Sequence, residues 1–127
     1  MRKLLPLLLC LLLTACAART VTPRSGVYAM SAPPESQTVP SLTLDMEAGT
    51  FLFSYDTLSS YLPVGACAQD GGVIVCVTDD GLYTYLFRVV NSTTLAFIAE
   101  GSADVSLSDA RTGEPVVDGS VFLLGDH

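Results

Sequence analysis

The sequence has no tryptophan, a single lysine and a single histidine among its 127 residues. The only histidine is His127, and no Gly-x-Ser-x-Gly motif is present. A Ser-His-Asp triad is therefore not expected, because the serine nucleophile needs a histidine base held beside it. A structural zinc site is also unexpected, since it takes four ligands. We expect no catalytic residues, no metal and no cofactor, and we interpret the chain as a protein that is not an enzyme.

Basic residues are scarce, and two of the six, Arg2 and Lys3, lie at the start of the chain. Without residues 1–15 the chain would keep four basic and thirteen acidic residues, a net charge of −9. Nucleic-acid binding needs clustered basic residues that neutralise phosphates, so no nucleic-acid partner is expected. An acidic surface is compatible with solubility or with a cationic partner.

The only long apolar run covers residues 4–13, directly after Arg2 and Lys3. As a helix this run would reach only ~15 Å, about half of a bilayer core, and its layout is that of a signal peptide. The residues that follow, Leu13-Thr14-Ala15-Cys16, resemble the lipobox of bacterial lipoproteins. The resemblance implies cleavage before Cys16 and a diacylglyceryl group on its thiol. The alternatives are an ordinary secretory signal, in which Cys16 is incidental, and an uncleaved anchor.

This interpretation divides the chain into three parts. Residues 1–15 are a lipoprotein signal peptide, residues 16–40 a lipidated N-terminus and flexible tether with a candidate first strand over 26–31, and residues 41–127 a β domain. Two acyl chains on Cys16 suffice for stable membrane attachment. We therefore expect an extracytoplasmic protein, anchored to the bacterial cell membrane through its acylated cysteine.

Two further cysteines, Cys67 and Cys76, bracket Gly71 and Gly72. A two-residue hairpin turn at these glycines would place Cys67 directly opposite Cys76 in a non-hydrogen-bonded pair, with Cα atoms close to ~4.5 Å apart. That separation is near the lower limit for a disulfide. The spacing predicts a structural disulfide, with a redox or metal role and free thiols as alternatives; a turn shifted to Asp70 and Gly71 would prevent the bond.

Alternating apolar residues recur about every ten residues from Ser41 onward, separated by turn residues. The predicted strands include 42–46, 51–55, 73–77, 82–90, 94–99 and a closing strand over 120–124. No long helical period is visible. We predict an all-β antiparallel meander that closes into a full or partly open, lipocalin-like β-barrel, with a β-sandwich as the alternative. In this barrel Tyr83, Tyr85, Phe87 and Val89 would fill the interior.

A resemblance extends over residues 49–124. The segment Ser59-Ser60-Tyr61-Leu62-Pro63 with Gly65, followed by Phe87, Leu95 and Phe97, resembles a small β domain of lipoproteins from Gram-positive gut bacteria. It is also similar to the extracellular tails of some membrane proteins related to antibiotic-sensing metallopeptidases. The resemblance implies location, fold and a sensing or interaction role. The cysteines at 67 and 76 depart from that pattern, and the sequence has no metallopeptidase zinc motif.

Three functions are compatible with these patterns. The first is a non-catalytic interaction or sensor module that binds an unknown protein, and the second is a small-ligand-binding barrel. The third and most distant is a small hydrolase built on paired carboxylates. The candidate ligand-binding residues, chosen as a polar and aromatic set, are Ser59, Ser60, Tyr61, Tyr83 and Tyr85.

Overall fold

Strands form where apolar and polar residues alternate, because successive side chains of a strand point to opposite faces of the sheet. The computed structural model describes residues 20–32, 39–56, 61–107 and 114–125. The strands are β1 (Gly26–Met30), β2 (Ser41–Asp45), β3 (Thr50–Ser54), β4 (Val64–Asp70), β5 (Val73–Thr78), β6 (Thr84–Asn91), β7 (Thr94–Ile98) and β8 (Val121–Leu124).

Each strand pairs antiparallel with the next one along the chain, and β8 pairs with β1 to close an eight-stranded barrel. Closure removes the free strand edges that an open sheet would expose. The prediction of an all-β meander that closes into a barrel is confirmed, and the sandwich alternative is wrong. β1 falls inside the segment 16–40 and provides the wall to which β8 pairs. The barrel therefore begins before residue 41.

Aromatic side chains fill the barrel interior. Phe53 lies at the centre of this packing, with its ring 5.1 Å from Tyr85 and 5.2 Å from Phe87 in edge-to-face geometry. Such pairs contribute about 0.5–1.5 kcal/mol beyond the area that they bury. The fully buried aromatic residues are Tyr28, Phe53, Tyr85, Phe87, Phe97 and Phe122.

The two ends of the barrel differ in the length of their connections. One end, here called the turn end, carries the short connections 46–49, 71–72 and 92–93 together with the start of β1 and the end of β8. The opposite end, here called the loop end, carries the connections 31–40, 55–63, 79–83 and 99–120. Val105 and Val116 from the last of these connections are buried in the core cluster. The longest loop therefore contributes side chains to the core.

One predicted interior residue lies elsewhere. Tyr85 and Phe87 are buried and Val89 is half-buried against the core, as predicted. Tyr83 is 40% exposed because β6 begins only at Thr84, which leaves Tyr83 in the connection before the strand. The prediction that Tyr83 fills the interior is therefore wrong. Within the described ranges, no helix has the length and apolar character needed to cross a bilayer.

Candidate interaction surface and cysteine pair

Tyr61 and Tyr83 come together at the loop end. Tyr61 precedes β4 and Tyr83 precedes β6, and their ring centroids are 5.3 Å apart with the planes inclined by 70°. Tyr61 is 37% exposed and Tyr83 40% exposed. Two of the predicted ligand-binding residues are thus neighbours in space although they are far apart in sequence.

The carboxylate of Asp80 is fixed beside these rings. It accepts hydrogen bonds from the Tyr61 hydroxyl (2.7 Å), the Thr78 hydroxyl (2.6 Å) and the Leu82 amide (3.0 Å). Thr78, although polar, is only 3% exposed, and its hydroxyl oxygen in turn accepts a bond from the amide of Tyr83. The bond from Thr78, followed by those from Leu82 and Tyr61, holds the pKa of the Asp80 carboxyl below its usual value, so that it stays ionised near neutral pH.

Two exposed apolar residues adjoin the tyrosines in sequence. Leu62 is 51% exposed and Leu82 is 70% exposed. The set that we call the loop-end patch consists of Tyr61, Leu62, Asp80, Leu82 and Tyr83. The sequence pattern predicts its two tyrosines and misses Leu62, Asp80 and Leu82. For Asp80 the reason is that its sequence context, Asp79-Asp80-Gly81, indicates only a turn.

The other predicted ligand-binding residues do not join the patch. Tyr85 is 1% exposed and its ring packs on Phe53, so it lies in the barrel interior and its contact with a ligand stays a prediction. Burial, and next the neighbouring Tyr55, raise the pKa of the Tyr85 phenol. Ser59 and Ser60 lie outside the described residues.

Acidic residues are concentrated at the loop end. In the part of the chain that the structure describes, this end has seven acidic residues and no basic one. The acidic set is Asp56, Asp79, Asp80, Glu100, Asp104, Glu114 and Asp118. Arg24 lies just before β1 at the turn end, and Arg88 lies within β6. The described part of the loop end is therefore acidic.

Paired carboxylates were the predicted signature of a hydrolase. The hydroxyl and amide of Ser106 hold the pKa of Asp104 below its usual value, as Thr78 does for Asp80. A general acid in a glycosidase needs a raised pKa instead. These two carboxylates thus have the wrong direction of shift for that role. Among the described residues, no group of three His, Cys, Asp or Glu side chains is placed to hold a metal ion.

The turn end has an open cleft of about 460 Å³. Its lining residues are Arg24, Ser25, Gly26, Val27, Thr93, Leu124 and Gly125. One backbone bond and one side-chain bond fix its rim, since the amide of Arg24 donates to the carbonyl of Ser92 (2.8 Å) and the Tyr28 hydroxyl donates to the carbonyl of Arg24 (2.6 Å). The cleft combines one cationic side chain with a lining of both polar and apolar groups.

The cysteine pair has the predicted register. Gly71 and Gly72 form the turn, and Cys67 pairs directly with Cys76. Gly71 has φ of +60° and Gly72 has no positive φ, which is the pattern of a type II′ turn. The backbone amide of Cys67 donates to the carbonyl of Gly49, which directly precedes β3, and so points away from Cys76. This is expected if Cys67 and Cys76 form a non-hydrogen-bonded pair.

Both cysteines are free thiols in the structure, so the predicted disulfide is not formed in it. The Cys67 thiol donates instead to the carbonyl oxygen of Thr50 (3.2 Å). Cys76 is fully buried and Cys67 is 7% exposed, and burial raises the pKa of both thiols. Raised pKa values oppose thiolate formation, which a redox-active pair would need.

The fold and the loop-end patch define an eight-stranded antiparallel β-barrel with a filled interior and an aromatic, acidic end surface. The sequence matches no protein-family model, no curated protein and no solved structure.

Proposed function

We propose that this protein is a lipid-anchored extracytoplasmic lipoprotein whose barrel acts as a non-catalytic interaction or sensor module. Cys16 would carry the acyl chains, and the signal peptide of residues 1–15 would be removed. The barrel would then bind a partner through its outer surface.

The filled interior is the observation that carries the interaction role. Phe53, Phe87 and Phe97 contact one another inside the barrel and are at most 1% exposed. A barrel that holds a small ligand inside needs a cavity of ~300 Å³ or more, lined but not occupied by side chains. Replacing this packed aromatic cluster by a ligand would forfeit the edge-to-face contacts. Recognition is therefore expected at the surface.

The path of the chain before β1 supports close anchoring. The side-chain amide nitrogen of Gln69, at the turn end, donates to the carbonyl of Val21 (2.6 Å), and Pro23 is fully buried. Val21 is five residues after Cys16, and five residues of chain span at most about 18 Å. A lipidated Cys16 would hold the turn end near the bilayer and direct the loop end away from it.

The charge distribution supports the same orientation. The described loop end has seven acidic residues, whereas the described turn end has three, Asp45, Glu47 and Asp70, together with Arg24, so an anionic membrane surface would repel the loop end more strongly. The two independent features, tether length and charge, give one orientation.

Export would also change the state of the cysteine pair. Disulfides persist in oxidising, extracytoplasmic compartments and are rare in the cytosol. Cys67 and Cys76 already face each other across the hairpin, so oxidation needs rotation of the side chains without a change of register. We propose that the exported protein carries this bond.

Fractionation of bacteria that express the full chain tests the anchor. The protein should partition into the detergent phase with a diacylated cysteine at its N-terminus by intact mass, and Cys16→Ala should lose both properties. Cys10→Ala, which changes a cysteine within the predicted signal peptide, is the matched control and should behave like the unsubstituted chain. Recovery of the protein from the cytosol with residues 1–15 intact and no acyl group would overturn the proposal.

A small-ligand-binding barrel is the second candidate, and the turn-end cleft is the observation that favours it. Arg24 beside Thr93, Val27 and Leu124 suits a small anion with both polar and apolar parts. Native mass spectrometry of protein extracted from membranes should show the lipoprotein mass alone. A bound small molecule at stoichiometric amount, lost in Arg24→Gln, would favour this candidate over the interaction module.

A further inference from the structure

We propose that the loop-end patch binds a segment of a partner protein that presents a lysine or arginine next to an apolar side chain. This inference rests on the proposed function, because anchoring at Cys16 is what leaves the loop end accessible. It goes further by assigning the binding surface and the chemistry of the partner.

The Asp80 carboxylate is the first feature of the patch that suits a cationic partner. The bonds from Tyr61, Thr78 and Leu82 orient Asp80 and keep it ionised. A carboxylate has about four acceptor positions, so one position is left after these three bonds. An oriented, ionised carboxylate with remaining acceptor capacity suits a charge-assisted hydrogen bond from a cationic side chain.

The second step concerns the rings. Tyr61 and Tyr83 meet edge to face at 5.3 Å, and each is more than one third exposed. A lysine or arginine within ~6 Å of a tyrosine ring is attracted by the negative face of the ring. The patch thus offers a cation both a carboxylate and an aromatic face.

The third step identifies a protein segment as the occupant. Leu62 and Leu82, which adjoin Tyr61 and Tyr83 in sequence, add exposed apolar surface. A small amine would leave this surface uncovered, whereas a peptide with an apolar neighbour to its cation would bury it. An anionic lipid surface or a nucleic acid would be repelled by the acidic loop end.

The fourth step is charge complementarity over a longer range. Asp79 and Asp80 place two carboxylates next to the tyrosine pair, so a basic segment would be steered toward the patch and the association would weaken with salt. Arg24, at the opposite end of the barrel, is too far away to neutralise the patch.

Fluorescence anisotropy with two labelled peptides tests the inference on the full chain purified in neutral detergent. One peptide alternates lysine with leucine, and the other has glutamate in place of lysine. The lysine peptide should bind, and raising the salt from about 50 to 300 mM should weaken it as the Debye length shortens. The glutamate peptide should not bind.

Matched variants locate the binding. Asp80→Asn should weaken binding of the lysine peptide about tenfold, and Tyr83→Leu about fivefold, because each removes a close partner of the cation. Asp79→Asn removes the same charge from the neighbouring position and should stay within about twofold, since long-range charge alone is screened. Equal loss in Asp79→Asn and Asp80→Asn, binding of both peptides or binding of neither would overturn the inference.

The same samples separate this inference from the proposed function. Detergent partitioning and intact mass report lipidation in each preparation. A lipidated chain that does not bind the lysine peptide would refute the patch alone, whereas an unlipidated chain that binds it through Asp80 would refute the anchor alone.

Discussion

The two ends of the barrel differ in the length of the connections that join neighbouring strands. The turn end joins strands through 46–49, 71–72 and 92–93, whereas the loop end uses 31–40, 55–63, 79–83 and 99–120. At the turn end, Tyr28 is fully buried and its hydroxyl donates to backbone carbonyls; at the loop end, Tyr61 is partly exposed and its hydroxyl donates to a carboxylate.

This difference separates structural roles from binding roles. Short turns fix the strand register and leave few side chains for recognition, while longer loops on a rigid scaffold can bring distant residues together. The loop-end patch is an example, since the hydrogen bond from Tyr61 to Asp80 joins residues 19 positions apart. The predictions below compare matched changes at the two ends.

Gly65→Ala should have the largest effect. Gly65 lies near the loop end of β4, and a Cβ there would be 2.1 Å from the carbonyl oxygen of Val77 and 2.8 Å from the amide of Asp79. Because backbone atoms must shift, we expect a loss of about 3 kcal/mol in the free energy of unfolding. Gly72→Ala at the turn end, where a Cβ meets nothing within 4 Å, is the control and should change stability little. Chemical denaturation measures both, and equal stability would contradict the close approach.

Oxidation of the cysteine pair should have the next largest effect. The proposed bond in the exported protein closes a loop of about ten residues and should add about 2.5 kcal/mol to the free energy of unfolding in the chain-entropy model. Reductant should remove this increment from the exported chain and leave a Cys67→Ser, Cys76→Ser double variant unaffected. Titration of two thiols in the unfolded, nonreduced protein would refute the bond.

Tyr28→Phe and Tyr61→Phe compare the hydroxyls of the two ends directly. The Tyr28 hydroxyl donates to the carbonyls of Arg24 (2.6 Å) and Ser92 (3.2 Å), and its residue is fully buried. Its removal should cost about 1 kcal/mol, because these carbonyls lose their buried donor. The exposed Tyr61 hydroxyl should contribute less, as water can replace it. A larger loss of unfolding free energy in Tyr61→Phe than in Tyr28→Phe would contradict the assignment of the turn end to structure and the loop end to binding.

The smallest predicted effect is the pH dependence of Asp80. Its pKa is lowered in the folded protein, so its stabilising contribution is present above the unfolded value of about 4 and is lost as the pH falls through the lower folded value. The stability difference between the unsubstituted chain and Asp80→Asn should therefore shrink at acid pH. Thermal unfolding across this range measures it. A difference that grows as the pH falls would contradict the observed hydrogen bonds.

The barrel was largely predictable because its signals are local. Alternation of apolar residues places Leu42, Leu44, Phe51 and Phe53 in the interior, and Gly71 with Gly72 sets the register that pairs Cys67 with Cys76. Each of these predictions needs only the two-residue period of a strand or the geometry of one turn.

The candidate site was predictable only in part. Tyr83 and Tyr85 differ by two positions and share the same parity, so the pattern assigned both to the interior, yet β6 starts between them. The partnership of Asp80 with Tyr61 was missed, because it depends on how two separate loops meet above the barrel.

The sequence by itself determined an all-β chain with a hairpin rhythm, a defined cysteine register and a strongly acidic surface. Those properties follow from side-chain alternation, turn chemistry and charge, which act over a few residues. Only the tertiary structure decided that aromatic rings pack in the interior and that Gln69 holds Val21 at the turn end. It also decided that Tyr61 contacts both the Asp80 carboxylate and the Tyr83 ring at the loop end. These contacts join residues distant in sequence, and closure of the sheet is what brings them together.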